Sequence, residues 1–141
     1  MPTYRERILS RVTTLLAGVD GVGGRVYRSR VEPLVRGQSP AIVVEPVSDQ
    51  AQQTTLATLD WTLQVRVTVY CRGDIPDQLA DPIVGAVHAA MMQDTTLNGY
   101  CIDILPVGTQ FEMIEADQAA GVVATDFSVR YRTPLNSLTV V

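Results

Sequence analysis

From residue 59 to residue 72 the chain alternates without a break. Leu59, Trp61, Leu63, Val65, Val67, Val69 and Cys71 take the odd positions. Asp60, Thr62, Gln64, Arg66, Thr68, Tyr70 and Arg72 take the even ones. Side chains of a strand point alternately to its two faces, so this pattern predicts one long strand with a buried face and a polar face. Cys71 keeps the apolar register and is read as core, not as a reactive thiol. Residues 123–131 repeat the pattern. Val123, Thr125, Phe127, Val129 and Tyr131 lie on one face, and Asp126, Ser128, Arg130 and Arg132 on the other. Pro134 stops this strand.

Helical spacing governs two other stretches. Tyr4, Ile8, Leu9, Val12, Leu15 and Leu16 form one apolar stripe, with Arg5, Arg7 and Arg11 off it. Thr3 and Glu6 have capping-box spacing at its start, and Gly18 ends it ahead of Gly21, Gly23 and Gly24. A second helix is expected over residues 77–93, with a stripe of Leu79, Ile83, Val87 and Met91. Asp81-Pro82 reads as an internal cap and first helical position, so the first turn is expected to be separate or kinked.

The remaining elements are shorter. Strands are expected at 25–31, at 41–47 between two prolines, at 101–107 and at 110–115. Residues 33–40 read as a loop and Asn98-Gly99 as a turn. Residues 48–58 are rich in Gln, Thr and Ala and have little to bury, which predicts either a mobile loop or an arm that orders against a partner. The sum is a single α+β domain over residues 1–133, in which two helices cover the apolar face of a mainly antiparallel sheet. Residues 134–141 read as a C-terminal tail. The other sheet face carries Arg66, Arg130 and Arg132.

Composition narrows the function. At 141 residues, 46% apolar and 18% charged, the chain has the make-up of one globular domain. The net charge of −4 gives no general attraction to nucleic acid or to an acidic membrane. Every basic residue is Arg, which suits bidentate pairing at interfaces but is read chiefly as codon bias. Two cysteines, Cys71 and Cys101, are too few for a disulfide scaffold and match no zinc spacing. No apolar run approaches the ~20 residues of a membrane helix, and charge near the N-terminus does not suit a signal peptide. A soluble protein made in a cytoplasm is the expectation.

Candidate chemistry is thin. His88 is the single histidine and has no nucleophile tied to it by a local motif. Asp74, Asp77 and Asp81 gather at the start of the second helix, where acids favour the helix dipole as readily as they bind a cation. Glu112, Glu115 and Asp117 lack His or Cys neighbours and read as a solvated edge. The glycines at 18, 21, 23 and 24 do not form a dinucleotide-binding turn. Arg25, Arg28 and Arg30 make a small basic cluster, but aromatic interleaving is sparse. No cofactor, metal or catalytic residue is assigned. A small enzyme or ligand-binding domain built on His88 with Asp74 and Asp81 is the alternative of another class, and it requires these side chains to converge.

The order of segments resembles the tail-terminator proteins of long-tailed phages, the lambda minor tail protein U type. An amphipathic helix leads through glycines to Gly24-Arg25-Val26-Tyr27. Ser39-Pro40-Ala41-Ile42-Val43-Val44 follows, similar to a strand of that family. A polar loop precedes the Trp-led strand Trp61-Thr62-Leu63-Gln64-Val65-Arg66-Val67. Ile75-Pro76-Asp77-Gln78-Leu79-Ala80-Asp81 resembles the lead into the family's second helix, and Thr125-Asp126-Phe127-Ser128-Val129-Arg130-Tyr131 its final strand. The resemblance covers residues 1–133, and what carries it is the order and spacing of elements.

The resemblance implies a structural protein of the virion. It would be a ring, usually a hexamer, that caps the tail tube and offers a joining surface to the head-completion proteins, with DNA only as passing cargo and no membrane partner. A neck or tail-tube component is the neighbouring reading. Cyclic rings use heterologous contacts, one patch meeting a different patch on the neighbour. The residues expected at subunit or partner contacts are Arg28, Arg30, Asp49, Gln52, Gln53, Arg66, Arg130 and Arg132.

Overall fold

The computed structural model describes residues 2–30, 36–114 and 119–139. In chain order its elements are α1 (Tyr4–Leu16), β1 (Val26–Arg28), a short 3-10 turn at Arg36–Gln38, β2 (Ala41–Gln53), β3 (Thr58–Arg72), α2 (Pro76–Gln93), β4 (Asp103–Ile114) and β5 (Ala120–Pro134). The strands form one sheet in the order β1-β2-β3-β5-β4. β1 runs parallel to β2, and every other pairing is antiparallel. The expected α+β class, with a mainly antiparallel sheet and two helices, is the observed one.

The two alternating segments form the centre of this sheet. β3 pairs with β5 along its whole length, Val65 facing Phe127 and Val69 facing Val123. Their apolar faces meet Ile8, Leu9, Val12 and Leu16 of α1 and Ile83, Val87 and Met91 of α2. Full burial of such side chains stabilises by about 1.5–3 kcal/mol each, which is why both helices lie on one face. The Thr3 hydroxyl accepts the Glu6 N–H at 3.1 Å and caps α1.

Several expectations are corrected. Residues 48–53 are not a loop. β2 continues through them to Gln53, each residue paired with β3, and the chain turns over residues 54–57. Apart from Asp49, these positions are polar because their side chains are exposed, while the neighbouring strand satisfies their backbone. A bulge between Pro46 and Ser48 shifts the register here. It changes which alternate residues face the helices, so Asp49 stands opposite Leu63 on the helix side.

The expected strands at 101–107 and 110–115 are one strand, β4, kinked by a bulge between Pro106 and Gly108 (residue 115 lies outside the described residues). β1 is shorter than expected, ending at Arg28 where Ser29 takes a positive φ.

α2 is continuous through Pro82, and Asp81 is no cap. An interior proline costs about 3 kcal/mol, so tertiary contacts must hold the first turn. Pro76 and Ala80 are buried, and Pro76 lies so close to Gly121 that a Cβ there would stand 2.7 Å from the proline ring. Leu79, expected in the apolar stripe, is half exposed, and Ala80 takes its place in the core.

Residues 135–139 fold back on the start of the chain. The Tyr4 N–H donates to the Leu138 carbonyl at 2.9 Å, and Thr3 bridges Thr139. At the same end of the sheet Tyr131 is stacked between Tyr4 and Trp61, and the Trp61 ring N–H donates to the Thr133 hydroxyl at 2.9 Å.

Candidate functional site

The sheet face away from the helices is laced with arginine–carboxylate pairs across neighbouring strands. Arg66 stands directly opposite Asp126 and binds it bidentately at 2.9 and 3.2 Å, and Gln64 adds a third hydrogen bond at 2.6 Å. Arg132 opposite Asp60 does the same at 2.6 and 3.2 Å. Arg130 opposite Asp103 joins β5 to β4, with Nε 2.9 Å from the carboxylate. Three of the five arginines expected at partner contacts therefore already hold partners within the chain. Fork-to-carboxylate pairing is directional, so these bonds fix the strand register on a face that has no apolar pattern to fix it.

Each pair shifts its acid. Hydrogen bonding from Arg66, Arg132 and Arg130 holds Asp126, Asp60 and Asp103 below the ordinary carboxylate range. Glu6, bonded by Arg28, is lowered in the same way. A carboxylate lowered in the folded state stabilises the fold above its unfolded pKa and loses that contribution as pH falls through its folded pKa. The melting temperature is therefore expected to drop on acidification from pH about 5 to about 2, where these groups protonate. Thermal melts across that range check this. Asp126→Asn, which removes one titrating group, is expected to lower the neutral-pH melting temperature and to shrink the acid-induced drop.

The other residues picked from the sequence lie apart from this ladder. Arg28 pairs with Glu6 at 2.8 Å, and the Arg30 guanidinium sits 4.6 Å from the centre of the Tyr27 ring; both belong to the β1 edge. Gln52 and Gln53 are exposed at the far end of the β2–β3 hairpin. The Asp49 side chain is only 9% exposed. It accepts from Arg5 at 2.7 Å and from the Tyr131 hydroxyl, so it ties α1 to the sheet.

His88 and the acids near α2 do not converge. His88 is exposed, seven residues beyond Asp81 on the same helix, which separates them by about 10 Å along the axis. Among the described residues, no group of three His, Cys, Asp or Glu side chains is placed to hold a metal. Burial raises the Cys71 thiol and pushes Cys101 up to about 12, so neither is a ready nucleophile. Among the described residues, no helix is long and apolar enough to cross a membrane.

An exposed apolar run lies on the outer strand of the sheet. β4 is the sheet's outer strand, and its far side pairs with nothing among the described residues. Phe111 is 67% exposed, Met113 52% and Ile114 41%. Ile75, just ahead of α2, is exposed beside Met113 and Ile114, and Leu79 is half exposed one turn further on. Asp74, Ile75, Asp77, Met113 and Ile114 line an open groove of about 400 Å³ between strand and helix. Long apolar edge strands are an association hazard unless something covers them. The alternation of Phe111 and Met113 with Gln110 and Glu112 was a visible strand signal. Which strand lies at the edge depends on pairing order, which no local pattern reveals.

Comparison with protein-family models gives no match, and comparison with curated proteins gives none either. Among solved structures, the chain is similar to a chain in a structure described as the virion of a native gene transfer agent particle. The TM-score is 0.65, with 89% of this chain and 95% of that one covered at 12% identity. At that identity the likeness is one of fold.

Proposed function

We propose that this chain is a structural protein of a phage-like virion, and within it a tail terminator: a ring, of about six subunits, that caps the tail tube and presents a joining surface to the head-completion proteins. The observation that carries the reading is the end-to-end likeness to a virion chain, which spans nearly the full length of both proteins. It agrees with the order of segments in the sequence, an independent line of support. The physical character of the molecule fits as well. Among the described residues its ionisable groups form ladders and edges instead of a convergent site, and the outer strand of its sheet exposes Phe111, Met113 and Ile114, a surface suited to another protein.

In this reading the ring works by shape. One face seats on the last ring of the tube and halts polymerisation, DNA passes through the lumen, and the opposite face receives the neck. The test is an assembly assay with tail-tube protein. Added in slight excess over tube ends, the protein is expected to stop elongation and to appear as a terminal ring in negative stain. Tubes that elongate unchanged, with bare ends, would rule the role out.

A further inference from the structure

Charge is divided along the chain. Residues 1–36 hold seven of the eleven Arg against three acids, whereas residues 73–118 hold eight acids and no Arg. The sheet order carries much of this division to opposite sides of the molecule, because β1 is one lateral edge and β4 the other. Arg25, Arg28 and Arg30 lie in or beside β1. Arg28 holds Glu6 through both terminal nitrogens, at 3.1 and 2.8 Å, while its buried Nε finds no acceptor among the described residues. Asp74 and Asp77 lie at the β4 edge, around the exposed Ile75, Met113 and Ile114, and Glu112 is on β4 itself.

We propose that the β4 edge docks the β1 edge of a second copy of this chain, head to tail, with Arg28 and Arg30 of one copy facing Asp74 and Asp77 of the next. The inference rests on the ring reading above and names its subunit contact. One patch meeting a different patch is the heterologous geometry that closes rings. Charge complementarity selects the second copy as occupant. Acid against acid at two β4 edges, or arginine against arginine at two β1 edges, repels and disfavours a two-fold dimer. β4 is 12 residues and about 40 Å long; β1 has three residues, and beyond it the same side of the sheet continues along β2, which β1 covers only at Ile42–Val44 among the described residues.

Charge reversal tests this directly. The variants are R28E/R30E, D74R/D77R, and the chain carrying all four changes, each confirmed as folded by circular dichroism and thermal melting. Mass by light scattering and negative-stain images are recorded at low salt. Each double variant alone is expected to lose at least about 100-fold in subunit affinity, since close charge pairs across interfaces carry couplings of that order. Mixing the two double variants is expected to restore rings with alternating, even-numbered copies, and the fourfold variant is expected to form rings by itself. Restoration by mixing requires both partners to be folded, so it separates a broken interface from a broken subunit. If a double variant fails to fold, the outcome is read from Met113→Asp, whose exposed side chain the core does not need and which is expected to lower affinity at least about 10-fold. Rings that persist in either double variant or in Met113→Asp, or that fail to return in both the mixture and the fourfold chain, would overturn the edge pairing and leave the ring reading standing. A wild-type chain that is monomeric at every concentration would overturn the ring reading itself.

Discussion

Replacing Tyr131 by Ala is expected to lower the unfolding free energy by about 3–5 kcal/mol, the range for removing a large aromatic from a core. Tyr131 is 1% exposed and lies between the rings of Tyr4 and Trp61, with centroids 6.4 and 6.1 Å away. Its hydroxyl donates to Asp49, the same carboxylate that Arg5 holds. The substitution therefore opens a cavity, removes two ring contacts and takes a donor from a buried acid. Burial and the Asp49 carboxylate raise the Tyr131 pKa, so the hydroxyl stays protonated and donating throughout the neutral range. Tyr131→Phe separates the effects. It keeps the rings and removes only the hydroxyl, with an expected loss of about 1–3 kcal/mol for a hydrogen bond to a charged group. Urea denaturation of the two variants measures both. Equal losses would mean that the hydroxyl, not the ring, holds α1 to the sheet. A domain of this size has about 5–15 kcal/mol in all, so the Ala variant gives up a large share.

The second large effect is on assembly, not on folding. Phe111→Asp/Met113→Asp is expected to leave the melting temperature within a few degrees of wild type and to weaken subunit association by two orders of magnitude or more. Both side chains are more than half exposed in the isolated chain, so the fold gains little from them. Covered by a neighbour, each would contribute about 1.5–3 kcal/mol of apolar burial. The new carboxylate at position 113 would also stand beside Asp74 and Asp77 in a groove whose described lining holds no cation. Sedimentation velocity over a concentration series reads the change. A variant that melts early instead would show that these side chains support the fold of the free chain.

The central strands and the two helices were legible in the sequence because one face of each is buried, and burial writes a period into the chain. Residues 59–72 carry a period of two and residues 4–16 a helical period, and both appear where the pattern put them. The polar half of β2 was not legible. Its backbone is satisfied by β3 while its side chains stay in water, so Gln50, Gln52 and Gln53 carry no apolar signature. Pro82 misled for the opposite reason: a local rule against interior proline gave way to the packing of Pro76 and Ala80.

The candidate site was read in part. Arg28 and Arg30 lie at a sheet edge. Arg66, Arg130 and Arg132 do line the polar face, but each is bound to an acid on a neighbouring strand, and only strand pairing reveals that Asp126, Asp103 and Asp60 stand opposite them. The exposed apolar edge of β4 escaped for the same reason. Phe111 and Met113 look like core residues until the strand order places them outermost.

The measurement that bears most directly on the ring is the mass of the purified chain in solution, by light scattering across a concentration series at low salt, with negative-stain images of the same samples. A species of about six times the 15.3 kDa protomer, seen as a closed ring with a central hole, is expected. A monomer at every concentration, with no rings in the images, would contradict the account.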